Sequence, residues 1–169
     1  DCIRARIFYH IGLSDHAVQI FKNFINTRKQ LLGMPFTERD YKKLGKDYLE
    51  LGRYQRLTLK PYEDVLGSLT QALLFFEKCK DWKYECETLI EIGTWAVEHS
   101  KWSEAEKSFK RMFTIGEENK NVIYCALANI GIATLHYWQS ISVEDFEKAQ
   151  QKFEQSVMVI RKSGRYRNL

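Results

Sequence analysis

Apolar positions recur at helical spacing along most of this chain, in pairs of stripes separated by short polar turns. In "LIEIGTWAVEHSKWSEAEKSFKRMF", Leu89, Ile92, Gly93 and Ala96 share one helical face, the turn "EHSK" follows, and Trp102, Ala105, Phe109 and Met112 share a second face. Only two prolines, Pro35 and Pro61, interrupt the sequence, which leaves room for long helices. The pattern predicts helices at about 2–12, 15–32, 37–58, 61–79, 82–99, 102–116, 120–138 and 143–163. Several start and stop signals agree. Thr37 with Asp40 resembles a capping box, Ser103 stands near the sixth start and Ser142 precedes the eighth. Pro61 suits a first helical turn, and Gly33 and Gly164 stand where helices would end.

The paired stripe is repeated. Phe8, Gly12, Ser14, Ala17, Phe21 and Phe24 keep the spacings of Ala96, Ser100, Trp102, Ala105, Phe109 and Met112, although Arg4 and Ala5 stand where the later copy has Ile92 and Gly93. Between these copies, "YKKLGKDYLELGRY" supplies Tyr41, Leu44, Gly45, Tyr48, Gly52 and Tyr54. After the inserted "QRLTLKP", Tyr62, Val65, Leu69 and Ala72 follow. Towards the end, Leu127, Ile130, Gly131 and Thr134 lead into Phe146, Ala149, Phe153 and Ser156.

These residues resemble the tetratricopeptide repeat family, over nearly the whole chain and most closely from Tyr41 to Tyr54. The family's proline near the end of each repeat is missing, with Glu77 and Glu117 at the matching places. The resemblance implies an all-α fold: one domain over 1–169 built as a right-handed superhelix of about four helix-turn-helix pairs, near 1–33, 37–79, 82–118 and 120–163. Small residues such as Gly45, Gly93, Gly131 and Ala105 would let helices cross closely, with an aromatic filling the remaining gap. An irregular helical bundle is the competing reading of the same stripes.

Composition narrows the class. A hydrophobic fraction of 44% with 14% aromatics describes a folded globular chain, and 169 residues suffice for one core without staples. No apolar run is long enough to span a bilayer, so no membrane partner is expected. The start at Asp1-Cys2 and the end at "RKSGRYRNL" suggest a piece of a longer protein. Cys2, Cys79, Cys86 and Cys125 form no CxxC, which predicts a reduced, intracellular protein, cytoplasmic or nuclear.

Candidate chemistry is sparse. His10, His16, His99 and His136 show no HExxH spacing, and the glycines from Gly45 to Gly52 are not followed by Lys-Ser or Lys-Thr. No nucleophile, base and oxyanion donor are recognisable together, so neither an enzyme nor a cofactor nor a metal is expected.

Binding is the expectation instead. In the family the groove is lined from the first helix of each pair, which here implies Arg6 and Tyr9, then Arg39, Lys42, Lys43, Lys46 and Leu49, then Glu87, Glu91, Thr94 and Glu98, then Asn129 and Leu135. Such a groove turns from basic to acidic along its length and suits a protein or peptide partner of opposite polarity with an apolar anchor. The acidic third set argues against a clamp for a partner's terminal carboxylate. The repeat edges invite self-association. A second reading rests on the tail: Arg161, Lys162, Arg165 and Arg167, with Tyr166 among them, suit RNA phosphates and a stacked base, although four cations in so short a segment more often mark a helix end plus linker. A structural spacer in a large assembly is a third. Net charge, +4 from 26 basic and 22 acidic residues, is too mild to decide.

Overall fold

The spacing of apolar residues becomes helix throughout the described part of the chain. The computed structural model describes residues 14–32 and 35–163. Its helices are α1 (Ser14–Leu31), α2 (Glu38–Leu57), α3 (Tyr62–Lys78), α4 (Trp82–Glu98), α5 (Trp102–Glu118), α6 (Val122–Gln139) and α7 (Val143–Lys162), and among the described residues there is no strand. The expected leading helix at 2–12, with Arg4, Ala5, Phe8 and Gly12, lies outside the described residues, as do Gly33 and Gly164.

Helix starts follow local chemistry. The Thr37 hydroxyl accepts from the Asp40 backbone N–H at 3.3 Å while the Asp40 carboxylate accepts from the Thr37 N–H at 3.1 Å, which completes the expected capping box. The Thr37 hydroxyl also donates to the Asp40 carboxylate at 2.6 Å, and this bond first, with the Thr37 N–H second, holds the Asp40 pKa below its ordinary value. Ser142 caps α7 through the Asp145 N–H. Two start signals behave differently. Pro61 is the N-cap of α3 rather than part of its first turn, and Ser103 lies inside α5, which starts behind Lys101 with no side-chain cap. Asn121, which the sequence reading passed over, caps α6 by accepting from the N–H groups of Ile123 and Tyr124.

Helix ends repeat a single device. Leu59, Lys80, Ser100 and Lys120 adopt left-handed φ of 52°, 51°, 56° and 51°. After each, the next N–H reaches back to the carbonyl five residues before it: Lys60 to Gln55, Asp81 to Phe76, Lys101 to Ala96 and Asn121 to Gly116. That is the Schellman closure, made here without glycine. The identical turn at 59, 80, 100 and 120 is a repeat written in backbone geometry.

Sequence-adjacent helices pack together, α1 with α2, α2 with α3, α5 with α6 and α6 with α7. The chain divides into two compact units, residues 1–88 and 89–169. In the first, Ala17, Val18, Phe21 and Ile25 of α1 meet Leu51 and Tyr54 of α2 in one buried cluster, with the Phe21 and Tyr54 rings 5.5 Å apart. A Cβ on Gly45 would stand 2.7 Å from the Phe76 ring and one on Gly52 2.6 Å from Leu69, so α2 crosses α3 at both glycines. Phe76 in turn stacks on Tyr84 at 5.0 Å. Measured from the left-handed turns at 59 and 100, the counterpart of Gly93 is Gly52, because α2 absorbs the insertion at its N-terminal side as an extra length of helix.

In the second unit, Phe109 of α5 occupies the space that two glycines leave. A Cβ would stand 2.6 Å from its ring on Gly93 of α4 and 2.5 Å on Gly131 of α6. Phe109 is 4% exposed, and burial of such a ring contributes about 1.5–3 kcal/mol. Ala105, Met112, Ala126, Ala133 and Ala149 are also buried in this unit.

Candidate functional site

The residues expected to line a groove fall into separate surfaces. On α2, Arg39, Lys42, Lys43 and Lys46 are exposed, but two of them are engaged. The Lys42 ammonium donates to the Asp81 carboxylate at 2.6 Å, and this bond raises its pKa. Lys42 and Lys46 also stand 5.6 and 4.6 Å from the centroid of the Tyr84 ring. Arg39 and Lys42 line an open cleft of about 540 Å³, joined by Lys80, Asp81, Trp82 and Lys83 from the turn between α3 and α4. The sequence reading missed this second side of the basic surface, although "KCKDWK" carries it as a run of lysines around a turn.

Leu49 and Leu135 have a different fate from the one expected for a groove lining. Both are 2% exposed and belong to the core. The helices packed on α2 cover Leu49, and Leu135 lies on the side of α6 that faces its neighbours. Neither reaches a partner.

On α4, Glu87, Glu91 and Thr94 are half-buried and Glu98 is exposed. Thr94 lines an apolar cleft of about 230 Å³ between α4 and α6, with Ile90, Val97, Leu127, Ile130 and Thr134 on its walls and Phe109 as its floor. The two glycines that admit Phe109 therefore also leave a furrow above it. Asn129 lines a third cleft, about 400 Å³, between α6 and α7, beside Cys125, Lys152 and Val159. Arg161 and Lys162 occupy the last turn of α7, where cations complement the helix dipole. Arg6, Tyr9, Arg165, Tyr166 and Arg167 lie outside the described residues.

An ion pair between half-buried Arg28 and buried Asp47 joins α1 to α2. The Arg28 guanidinium lies 2.7 Å from the Asp47 carboxylate and 4.4 Å from the centroid of the Phe24 ring. Asp47 is 7% exposed; burial pushes its pKa up to about 6 while Arg28 pulls it back. Beside it, Lys29 donates to the Tyr48 hydroxyl at 2.7 Å. Nothing in the sequence distinguished Asp47 from the exposed acids, since its helical face is apolar only once α1 covers it.

Cys79 and Cys125 are free thiols, and burial raises the pKa of both, which disfavours the nucleophilic thiolate. No group of three His, Cys, Asp or Glu among the described residues could hold a metal ion, and no described helix is long and apolar enough to cross a membrane. Comparison with known proteins found no matching family model and no matching curated protein.

Proposed function

We propose that the chain is a tetratricopeptide-like helical repeat, wound as a right-handed superhelix, whose function is non-catalytic: it holds a peptide or helix of a partner protein against its first-of-pair helices. The observation that carries this reading is the furrow over Phe109. Its walls are half-buried aliphatic and threonine side chains on α4 and α6, a surface that can take an apolar anchor without rearranging. The recurring left-handed turn and the recurring aliphatic–glycine crossings support the repeat itself. The basic surface of Arg39, Lys42, Lys80 and Lys83 would suit an acidic segment of a partner.

The test is a pull-down with wild type, Thr94→Arg, which fills the furrow, and the Lys42→Glu/Lys46→Glu double variant, each with and without nuclease. Circular dichroism first confirms that all three fold. The reading expects one protein, recovered by wild type regardless of nuclease, to be lost with Thr94→Arg and weakened with the double variant. Recovery that Thr94→Arg leaves intact would remove the furrow from the mechanism, and recovery abolished by nuclease would replace a protein partner with a nucleic acid.

A further inference from the structure

Among the described residues, one exposed ring and one exposed glycine each match half of a crossing already formed inside the chain. The ring is Phe153. Ala149 and Phe153 of α7 keep the spacing of Ala105 and Phe109 of α5, and both alanines are buried, at 3% and 0% exposure. Phe109 is sealed by Gly131 on the following helix. Phe153 is 43% exposed, in an apolar cleft of about 330 Å³ that it shares with Tyr137, Trp138 and Phe146.

The glycine is Gly67 on α3. Ile130-Gly131-Ile132-Ala133-Thr134, the segment of α6 that receives Phe109, has its counterpart in Leu66-Gly67-Ser68-Leu69-Thr70. Each places an aliphatic residue, a glycine and a threonine at the same helical positions. In α6 a Cβ on the glycine would collide with a ring, whereas around Gly67 nothing lies within 4 Å. Gly67 and Thr70 are exposed, Leu66 is half-buried, and Leu74, one turn further along the same side, is 44% exposed. The other described aliphatic–glycine pairs, at Gly45, Gly52, Gly93, Gly116 and Gly131, are already occupied by Phe76, Leu69, Phe109 and Cys125.

We propose that the chain associates with itself through these two halves: Phe153 and the aromatic cleft of one copy seat on the Leu66–Gly67–Thr70 face of a second. The two faces differ, so the contact is heterologous, and each copy keeps one free half for a further copy. A partner of other origin is not required, because the complementary surface is present on the chain itself. The inference is independent of the furrow over Phe109.

Both halves are exposed, so each can be altered without touching the core. Sedimentation velocity of the full chain across a concentration series would show wild type growing in mass with concentration up to about 0.1 mM, where weak association becomes visible. Gly67→Leu and Phe153→Ala, each alone, should sediment as monomers throughout. Mixed together they should recover a one-to-one dimer and nothing larger, since the first variant keeps an intact ring and the second an intact glycine face. That recovery also shows both variants to be folded. A monomeric wild type overturns the proposal. So does an oligomer that either variant leaves unchanged, or a mixture that stays monomeric while wild type associates.

Discussion

Phe109 lies so close to Gly93 that a Cβ there would stand 2.6 Å from its ring. No methyl group fits that gap, so the crossing of α4 and α5 requires the absence of a side chain at Gly93. Gly93→Ala should therefore lose about 1–3 kcal/mol by overpacking, despite the gain of about 1 kcal/mol that alanine brings to a helix. Gly67, with nothing within 4 Å, is the control: Gly67→Ala should stabilise by about 0.5–1 kcal/mol. Urea denaturation of the two variants checks the pair. Equal effects would mean that the ring moves aside freely.

The four left-handed turns carry side chains where glycine is the unstrained choice. Lys120→Gly and Leu59→Gly remove a Cβ conflict of about 1–2 kcal/mol and give back about 0.4–1 kcal/mol through the freer unfolded chain. Each should raise stability by about 0.5–1 kcal/mol, and Lys120→Val, β-branched at positive φ, should lower it. Thermal melts would sink the turn assignment if the glycine variants were the less stable ones.

Acid should affect Asp47 and Asp40 of α2 in opposite senses. Asp47 has a folded-state pKa of about 6, above the unfolded value of about 3.9. The folded chain binds that proton more tightly, so stability from this group is fully present below pH about 4 and is lost as pH rises through about 6. Asp40, lowered by its bonds to Thr37, contributes stability that is lost as pH falls through its depressed pKa. The unfolding free energy of wild type relative to Asp47→Asn should fall between pH about 4 and 6 and stay level above it. A constant difference across that window would show that Asp47 titrates as it does in the unfolded chain.

The Lys42→Glu/Lys46→Glu variant has a stability consequence that the sequence did not foretell. Lys42 is bonded to Asp81, and both lysines lie over Tyr84, so the double change sets a carboxylate against a carboxylate. The expected loss is small, because solvent screens so exposed a pair. A larger loss in urea denaturation would mean that the basic surface holds α2 to the start of α4.

The amino-acid sequence by itself determined the helices and their order. Helical spacing, the Thr37–Asp40 box and the Ser142 cap act within a few residues, so they are legible wherever they occur, and the helix bounds from α1 to α7 follow from them closely. Aliphatic–glycine pairs marked the crossings for the same reason. What lies against a residue is a different matter, because it depends on helices far along the chain. Only the packed structure decided that Gly52, not Gly45, is the counterpart of Gly93, that Leu49 and Leu135 are core rather than lining, and that Lys42 is bonded to Asp81. It also decided which side of α2 becomes dry enough to lift Asp47 to about 6. Spacing fixes the face on which a side chain stands; whether that face meets water, a ring or a charge is set by the neighbour that covers it.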